Sequence, residues 1–331
     1  MSKTVVAILN YNGKPFLERF LPLLRARTSL PGVSFLVIDN GSVDGSVDFL
    51  YSQFPDVHVV RLDRNYGYTG GYNRGLQGAD ADYYVLLNSD VEVSENWLQP
   101  LLSLMEGDGA IGACMPKIRA YGARDYFEYA GAAGGFIDRY GYPFCRGRVL
   151  SRIEQDKGQY DDARPVFWAT GACLMVRAAL YRRLGGLDEA FFAHMEEVDF
   201  CWRAQKAGYR VMCEPRAVVY HVGGGTLPNN SPQKIYFNYR NSLYMLYKNL
   251  PTRQRRRVLV ARMSLDGLSA AVYLLTGRVS FFAAVVRAHI HFWQKRRQLT
   301  RSPDTDAAIQ GVYPKSIVWQ FFVGRRMMEG W

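Results

Sequence analysis

Four apolar runs mark the first ninety residues, and each passes directly into polar or glycine-bearing sequence. Val5–Leu9 leads into Asn10-Tyr11-Asn12-Gly13, and Phe35–Ile38 into Asp39-Asn40-Gly41-Ser42-Val43-Asp44-Gly45-Ser46. Val57–Leu62 leads into the glycine-rich loop Arg64-Asn65-Tyr66-Gly67-Tyr68-Thr69-Gly70-Gly71-Tyr72-Asn73-Arg74-Gly75, and Val85–Leu87 into Asn88-Ser89-Asp90-Val91. A short apolar run bounded by turn residues reads as a buried strand. Stretches of helical spacing such as Pro15–Leu24 lie between the runs. The alternation predicts an α/β fold with a mostly parallel, doubly wound sheet and helices on both faces. Ligands of such sheets sit outside the carboxyl ends of the strands. Asp90 is therefore placed to meet a ligand or a hard cation; the competing reading is a loop aspartate that caps the helix near Trp97.

Beyond residue 116 the pattern changes. Residues 117–167 form a long insertion rich in aromatics and glycines (Tyr126, Phe127, Tyr129, Phe136, Tyr140, Tyr142). It suits either a sugar-binding wall or an ordinary packed subdomain. Phe167–Arg177 reads as a further loop and strand. Next comes Gly185-Gly186-Leu187-Asp188-Glu189-Ala190-Phe191-Phe192-Ala193-His194-Met195-Glu196-Glu197-Val198-Asp199-Phe200-Cys201-Trp202-Arg203, with three carboxylates in four positions at Glu196, Glu197 and Asp199. Such a cluster favours a helix N-terminus through the helix dipole, or it serves proton transfer. Val219-Tyr220-His221-Val222-Gly223-Gly224-Gly225-Thr226 ends another strand.

The last hundred residues read as helices over 234–250, 258–276 and 279–294. The second is apolar except for a stripe at Arg262, Asp266, Ser269 and Tyr273, and the third carries Arg287, His291 and Gln294. Basic clusters bracket the pair: Arg253, Arg255, Arg256 and Arg257 before it, Lys295, Arg296 and Arg297 after it.

Charge sharpens this division. Residues 1–229 hold 24 Lys+Arg and 26 Asp+Glu, whereas residues 230–331 hold 17 and 4, so the surplus belongs to the tail. Apolar helices flanked by basic clusters match an in-plane helix on an anionic membrane. A hairpin packed on the domain or on a second subunit is the alternative. No recognition motif accompanies the charge, which ranks nucleic acid low. The five cysteines lack metal-ligand spacing and read as reduced core residues. No signal peptide and no run of eighteen uncharged apolar residues is read. The fingerprint G-x-G-x-x-G is absent after the first strand, which disfavours a nicotinamide enzyme. The division expected is 1–229 (halves 1–116 and 117–229) and a helical region 230–331.

Asn10-Tyr11-Asn12, the loop at 39–46, the stretch at 65–75, Asn88-Ser89-Asp90 and the segment 185–203 together resemble inverting glycosyltransferases of family 2, specifically the rhamnosyltransferase-like bacterial subgroup, which have the GT-A fold. Tyr239-Arg240-Asn241 and Gly311–Val318 share that resemblance. It implies a donor site of Asn10, Tyr11, Asn12, Asp39, Asn65, Gly71, Asn88 and Ser89 for a nucleotide-sugar, dTDP- or UDP-linked. It implies a divalent cation, Mn²⁺ or Mg²⁺, on Asp90 and His221; imidazole favours Mn²⁺. Asn88 stands where that metal motif usually has its first Asp. The catalytic segment implied is Glu197 as base, Glu196 as runner-up, with Asp199 and Arg203; the family usually has Asp at the position of Glu197. Trp168, Gly171 and Ala172 fall on the acceptor side. The implied activity is transfer to a lipid-linked glycan for surface polysaccharide, on the cytoplasmic face of the membrane. A non-catalytic sugar-nucleotide-binding or scaffold protein of the same fold is the other reading.

Overall fold

The computed structural model describes residues 2–223 and 231–323, so Gly224–Thr226 and the boundary at 229/230 lie outside the described residues. The chain opens with β1 (Thr4–Asn10), α1 (Lys14–Ala26), β2 (Val33–Asp39), α2 (Ser46–Gln53), β3 (His58–Arg61), α3 (Gly67–Gly75) and β4 (Tyr83–Asn88). β1 lies between β2 and β4 and is parallel to both, and β3 pairs parallel with β2. Val6, Ala7, Val37, Ile38, Val85 and Leu86 are fully buried, because helices cover both faces of this half-sheet. All four apolar runs thus finish at one edge.

The glycine-rich stretch is not a loop. Residues Gly67–Gly75 form α3, and most of its residues are buried. Glycine is a poor helix former, so composition argued against a helix. Close packing overrides that preference: a Cβ on Gly75 would stand 2.4 Å from the Ile38 side chain, and one on Gly71 2.6 Å from Leu9. Bare backbone lets α3 lie directly on the sheet.

The second half runs β5 (Val91–Val93), α4 (Leu98–Gly107), β6 (Ile111–Ala120), β7 (Ala123–Phe127), β8 (Gly135–Asp138), β9 (Pro143–Cys145), β10 (Arg148–Val149), β11 (Arg152–Ile153) and β12 (Arg164–Pro165). There follow β13 (Cys173–Arg177), α5 (Ala178–Arg183), α6 (Glu196–Lys206) and β14 (Arg210–His221). The main sheet has the order β12-β14-β6-β13-β4-β1-β2-β3. β13 is antiparallel to both β4 and β6, so the sheet is mixed rather than wholly parallel. An antiparallel neighbour needs no crossover helix. The insertion leaves the carboxyl end of β6 and re-enters there as β13, and it is thereby built over the ligand edge.

The tail consists of α7 (Pro232–Asn249), α8 (Thr252–Leu275), α9 (Val279–Lys295), a 3₁₀ turn at Arg296–Gln298, β15 (Val312–Tyr313) and α10 (Ile317–Val323). β15 extends a second sheet, order β11-β10-β9-β8-β15, which makes the insertion a packed subdomain with Phe127, Phe136 and Phe144 buried. Tyr126 and Tyr129 remain exposed.

α8 is turned inside out. Its buried residues are Arg262, Asp266 and Ala270, whereas Val260, Leu268, Val272, Leu274 and Leu275 face outward, Leu275 being 87 % exposed. The polar stripe points into the protein. Arg262 Nε pairs with Asp266 Oδ1 at 2.9 Å and Nη1 donates to the Gly141 carbonyl at 2.9 Å. The Tyr142 hydroxyl donates to Asp266 at 3.1 Å, and Tyr239 and Ser269 share a hydroxyl–hydroxyl bond at 2.5 Å. By length and composition α8 is enough to cross a membrane, with 17 % of its apolar stretch buried. The sequence pattern missed this because Arg262 and Asp266 interrupt the apolar run; paired with each other, they are hidden from the outer face.

Candidate active site

The strand ends of the first half carry a polar network. Asn10 Nδ2 donates to Asp39 Oδ1 at 3.2 Å and to Ser42 Oγ at 3.1 Å, and both Asn10 and Asp39 are fully buried. Asn12, held at φ 51°, accepts from the Val43 amide at 2.8 Å while its own amide donates to Ser42 Oγ at 2.9 Å. Asn40 joins this edge to α3: its Nδ2 donates to Asn65 Oδ1 at 3.1 Å and to the Gly67 carbonyl at 3.0 Å. Asn40 was not among the sequence candidates, although it stands in the same loop as Asp39. Tyr11 is exposed beside this network, and Gly71 lies under it against Leu9 and Asn40. The groups at this edge are thus amides and carboxylates already tied to one another, which fixes their orientation before a ligand arrives.

Asn88 and Asp90 follow at the end of β4. The Asn88 amide donates to the Ala172 carbonyl at 3.0 Å, which brings the stretch before β13 beside the Asn88–Asp90 turn that contains Ser89. β5 pairs with β14 so that Val91 stands opposite His221. His221 Nε2 lies 3.2 Å from Asp90 Oδ1, and its Nδ1 lies 3.3 Å from Glu128 Oε2. Burial works against charge on this imidazole, but the Asp90 and Glu128 carboxylates prevail and raise its pKa to about 10. Glu128, from the insertion, is a second residue that sequence reasoning missed.

Asp90 and His221 converge to 3.2 Å, so both side chains could be ligands of one divalent cation once the imidazole is neutral. Among the described residues no three His, Cys, Asp or Glu side chains are placed to hold a metal unaided. The remaining positions would fall to substrate oxygens and water.

Glu196 and Glu197 begin α6. The three residues Phe192, His194 and Met195 before them have φ of 66°, 70° and 70°, a region that costs a residue with a side chain roughly 1–2 kcal/mol. Glu196 and Glu197 each keep one oxygen buried and without a partner among the described residues. Burial raises the Glu196 carboxyl well above its usual range, and the adjacent Glu197 adds to that. Burial likewise pushes Glu197 up to about 7, against the amides at the start of α6, which pull it down. The Tyr68 hydroxyl donates to the Gly171 carbonyl at 2.6 Å, and the Glu196 and Glu197 charges both act on that phenol. Tyr68 thus links the carboxylate pair to the Gly171–Ala172 stretch and, through it, to Asn88.

Asp199 and Arg203 belong elsewhere. Asp199 Oδ2 takes Arg203 Nε at 2.8 Å and Lys248 Nζ at 2.9 Å, and its Oδ1 takes Asn249 Nδ2 at 2.7 Å. A fully buried carboxylate with both oxygens occupied has no place for a substrate proton, so these two residues brace the site instead. Trp168 is also structural. It is 4 % exposed, its Nε1 donates to the Phe136 carbonyl at 2.9 Å, and its ring covers Gly135. Its side chain is core, which the sequence position could not reveal.

A family profile described as Glycosyl transferase family 2 matches residues 5–185. The chain is 32 % identical over 234 residues to N-acetylglucosaminyl-diphospho-decaprenol L-rhamnosyltransferase of Mycobacterium tuberculosis, covering 65 % of this chain and 75 % of the relative. It is 23 % identical over 231 residues to dTDP-rhamnosyl transferase RfbF of Shigella flexneri, covering 65 % and 71 %. Among solved structures it resembles GalNAc-T7 bound to UDP, GalNAc and Mn²⁺ (TM-score 0.58, 17 % identity, 75 % of this chain and 48 % of that one). It also resembles the mannosyltransferase PcManGT from Pyrobaculum calidifontis with GDP-Man and Mn²⁺ (TM-score 0.55, 14 % identity, 89 % and 88 %). At those identities the likeness is one of fold, and the fold is GT-A.

Proposed function

The chain belongs to glycosyl transferase family 2 and is a glycosyltransferase; from that premise we propose an inverting, metal-dependent enzyme that moves rhamnose from a nucleotide donor to a lipid-diphosphate-linked acceptor at a membrane surface. Two relatives support donor and acceptor through their names, one an L-rhamnosyltransferase of a diphospho-decaprenol substrate and one a dTDP-rhamnosyl transferase. The observation that supports the reaction class is a chain of contacts, Tyr68 to Gly171 and Asn88 to Ala172, linking three groups. These are the Asn10–Asp39–Ser42 network, the Asp90–His221 pair, and the Glu197 carboxylate with its unpartnered buried oxygen.

Inversion requires one base to take the acceptor's hydroxyl proton as that oxygen attacks the anomeric carbon. Glu197 has a raised pKa and a free oxygen, which suits it to accept the proton at neutral pH. Glu196, its carboxyl also raised by burial and by the adjacent Glu197, titrates together with it as one pair. The donor's base and ribose would lie against the edge that the buried Asn10 and Asp39 shape and that Tyr11 and Asn12 line, and Asn88 and Ser89 would face its sugar end. Asp90 and His221 would hold a divalent cation, which when bound would supply neutralising charge to the leaving diphosphate. His221 has to give up its proton to take that part. The outward apolar face of α8 and the basic clusters around the hairpin support a peripheral place on an anionic membrane, as an acceptor held on lipid would demand.

Thermal shift with a panel of sugar nucleotides, with and without Mn²⁺, tests this reading, since a ligand that binds the native state raises Tm by mass action. dTDP-rhamnose with Mn²⁺ is expected to raise Tm, and Asp90→Asn to remove the Mn²⁺-dependent part. If no dTDP- or UDP-sugar shifts the wild type, the donor assignment falls.

A further inference from the structure

The tail resemblance at Tyr239-Arg240-Asn241 has no part in binding or chemistry so far, yet two of its residues reach the loop before Glu196. Asn241 on α7 is fully buried, and its Nδ2 shares its two protons among the carbonyls of Phe191 at 3.0 Å, Ala193 at 2.7 Å and His194 at 2.7 Å. Those carbonyls converge because Phe192, His194 and Met195 have left-handed backbone, which turns successive peptide units away from a regular helix. Arg240 Nε donates to Asn241 Oδ1 at 2.8 Å, so the amide oxygen is engaged and the amide nitrogen must face the loop. Arg240 Nη2 adds bonds to the Ala190 and Phe191 carbonyls at 3.1 and 2.9 Å. Phe237, one turn earlier, stacks on Phe192 with centroids 5.6 Å apart. Further along α7, Lys248 and Asn249 hold Asp199 on α6. α7 thus grips the chain on both sides of the carboxylate pair.

We propose that Asn241, oriented by Arg240, is a positioning residue for Glu197: by holding three carbonyls of a left-handed loop it fixes the start of α6 and keeps the Glu197 carboxyl dry and aimed at the acceptor. The inference rests on Glu197 being the base. Asn241 touches the loop backbone, not the substrate, so its effect passes through the placement of α6. A base displaced by a fraction of an ångström loses rate without loss of donor binding, because Asn10, Asp39 and Asp90 stand on other elements.

Asn241→Ser removes the amide donors without adding charge. In this variant dTDP-rhamnose hydrolysis with Mn²⁺ should show kcat down by roughly tenfold or more. Calorimetric binding of dTDP with Mn²⁺ should be unchanged. The acid limb of the kcat–pH profile should move to lower pH, since water reaches Glu197 while its titratable neighbours Glu196, Asp199, Tyr68 and Cys201 are untouched. Arg240→Lys should do the same more weakly, and it decides on the same criteria if Asn241→Ser does not fold. An unaltered kcat, or kcat and dTDP affinity falling together with the limb in place, overturns the proposal. Glu197→Gln measured alongside keeps the two ideas apart. If it turns over normally, the base assignment fails; if it is dead while Asn241→Ser is normal, only the positioning role fails.

Discussion

Glu196 and Glu197 differ by one position and carry different expectations. Glu197→Gln should bind donor as before and lose turnover by roughly a hundredfold or more, the usual weight of a general base. A carboxyl whose pKa is raised to about 7 is protonated below that pH and serves as a base above it. Wild-type kcat should therefore climb as pH rises through about 7 and then level off, with no such limb in Glu197→Gln. Steady-state kinetics of both glutamine variants decide the matter: a dead Glu196→Gln beside an active Glu197→Gln moves the base by one residue. The carboxylate cluster was visible in sequence, but spacing alone also allowed a charged helix N-terminus, and the role of Glu197 came from the family resemblance. Asn40, Tyr68 and Glu128 were not marked as candidates, and Asn241 was marked only by the tail resemblance without a role, since such polar residues declare themselves only through distant partners. Asp199 shows the converse: in sequence it looks like its neighbours, and only Lys248 and Asn249, some fifty positions away, reveal that its oxygens are taken.

At the scale of elements, α3 depends on absent side chains. Gly75→Ala puts a Cβ 2.4 Å from Ile38, which cannot yield without moving β2, and overpacking of this kind costs about 1–3 kcal/mol. The prediction is a lower urea midpoint with unchanged slope. Gly107→Ala, whose Cβ would meet nothing within 4 Å, should leave the midpoint nearly unmoved and serves as the control. The backbone effect of Gly→Ala in a helix is stabilising, so a loss confined to Gly75→Ala identifies packing, and an equal loss in both would refute it. The apolar strands of the first half could be read from the chain because both faces are covered and the runs are continuous. The direction of β13 could not, since its five residues look the same whichever way they run. Strands such as β10 and β11, two residues each, carry no periodicity at all.

Across the whole molecule, apolar surface and positive charge coincide on the tail. α8, α9 and α10 expose Leu268, Val272, Leu275, Ile290, Trp293 and Trp319, and Arg253–Arg257 stand at the start of α8. If this face meets lipid, two forces act: burial of apolar side chains, indifferent to salt, and attraction of the arginines to anionic headgroups, about 1 kcal/mol each and screened by salt. Replacing Arg253, Arg255, Arg256 and Arg257 with Gln should weaken flotation with anionic vesicles and flatten its salt dependence. A wild type that fails to float at low salt would refute the membrane placement. Sequence gave the two apolar helices and their basic brackets. It could not tell which face of α8 turns outward, because that depends on Gly141, Tyr142 and Tyr239 waiting on other elements for its polar stripe.

The inverted face of α8 also bears on how the chain comes to be made. Until Arg262 and Asp266 meet Gly141 and Tyr142, the apolar stretch of α8 carries an ion pair with nothing to cover it. During synthesis those two body residues leave the ribosome more than a hundred positions earlier, so the polar cradle precedes its occupant. Tyr239 on α7 comes next, and α8 after it. The linear order of the chain thus supplies Gly141, Tyr142 and Tyr239 ahead of α8, while His289 of α9, 3.4 Å from Asp266, can close the cradle only after α8 is made.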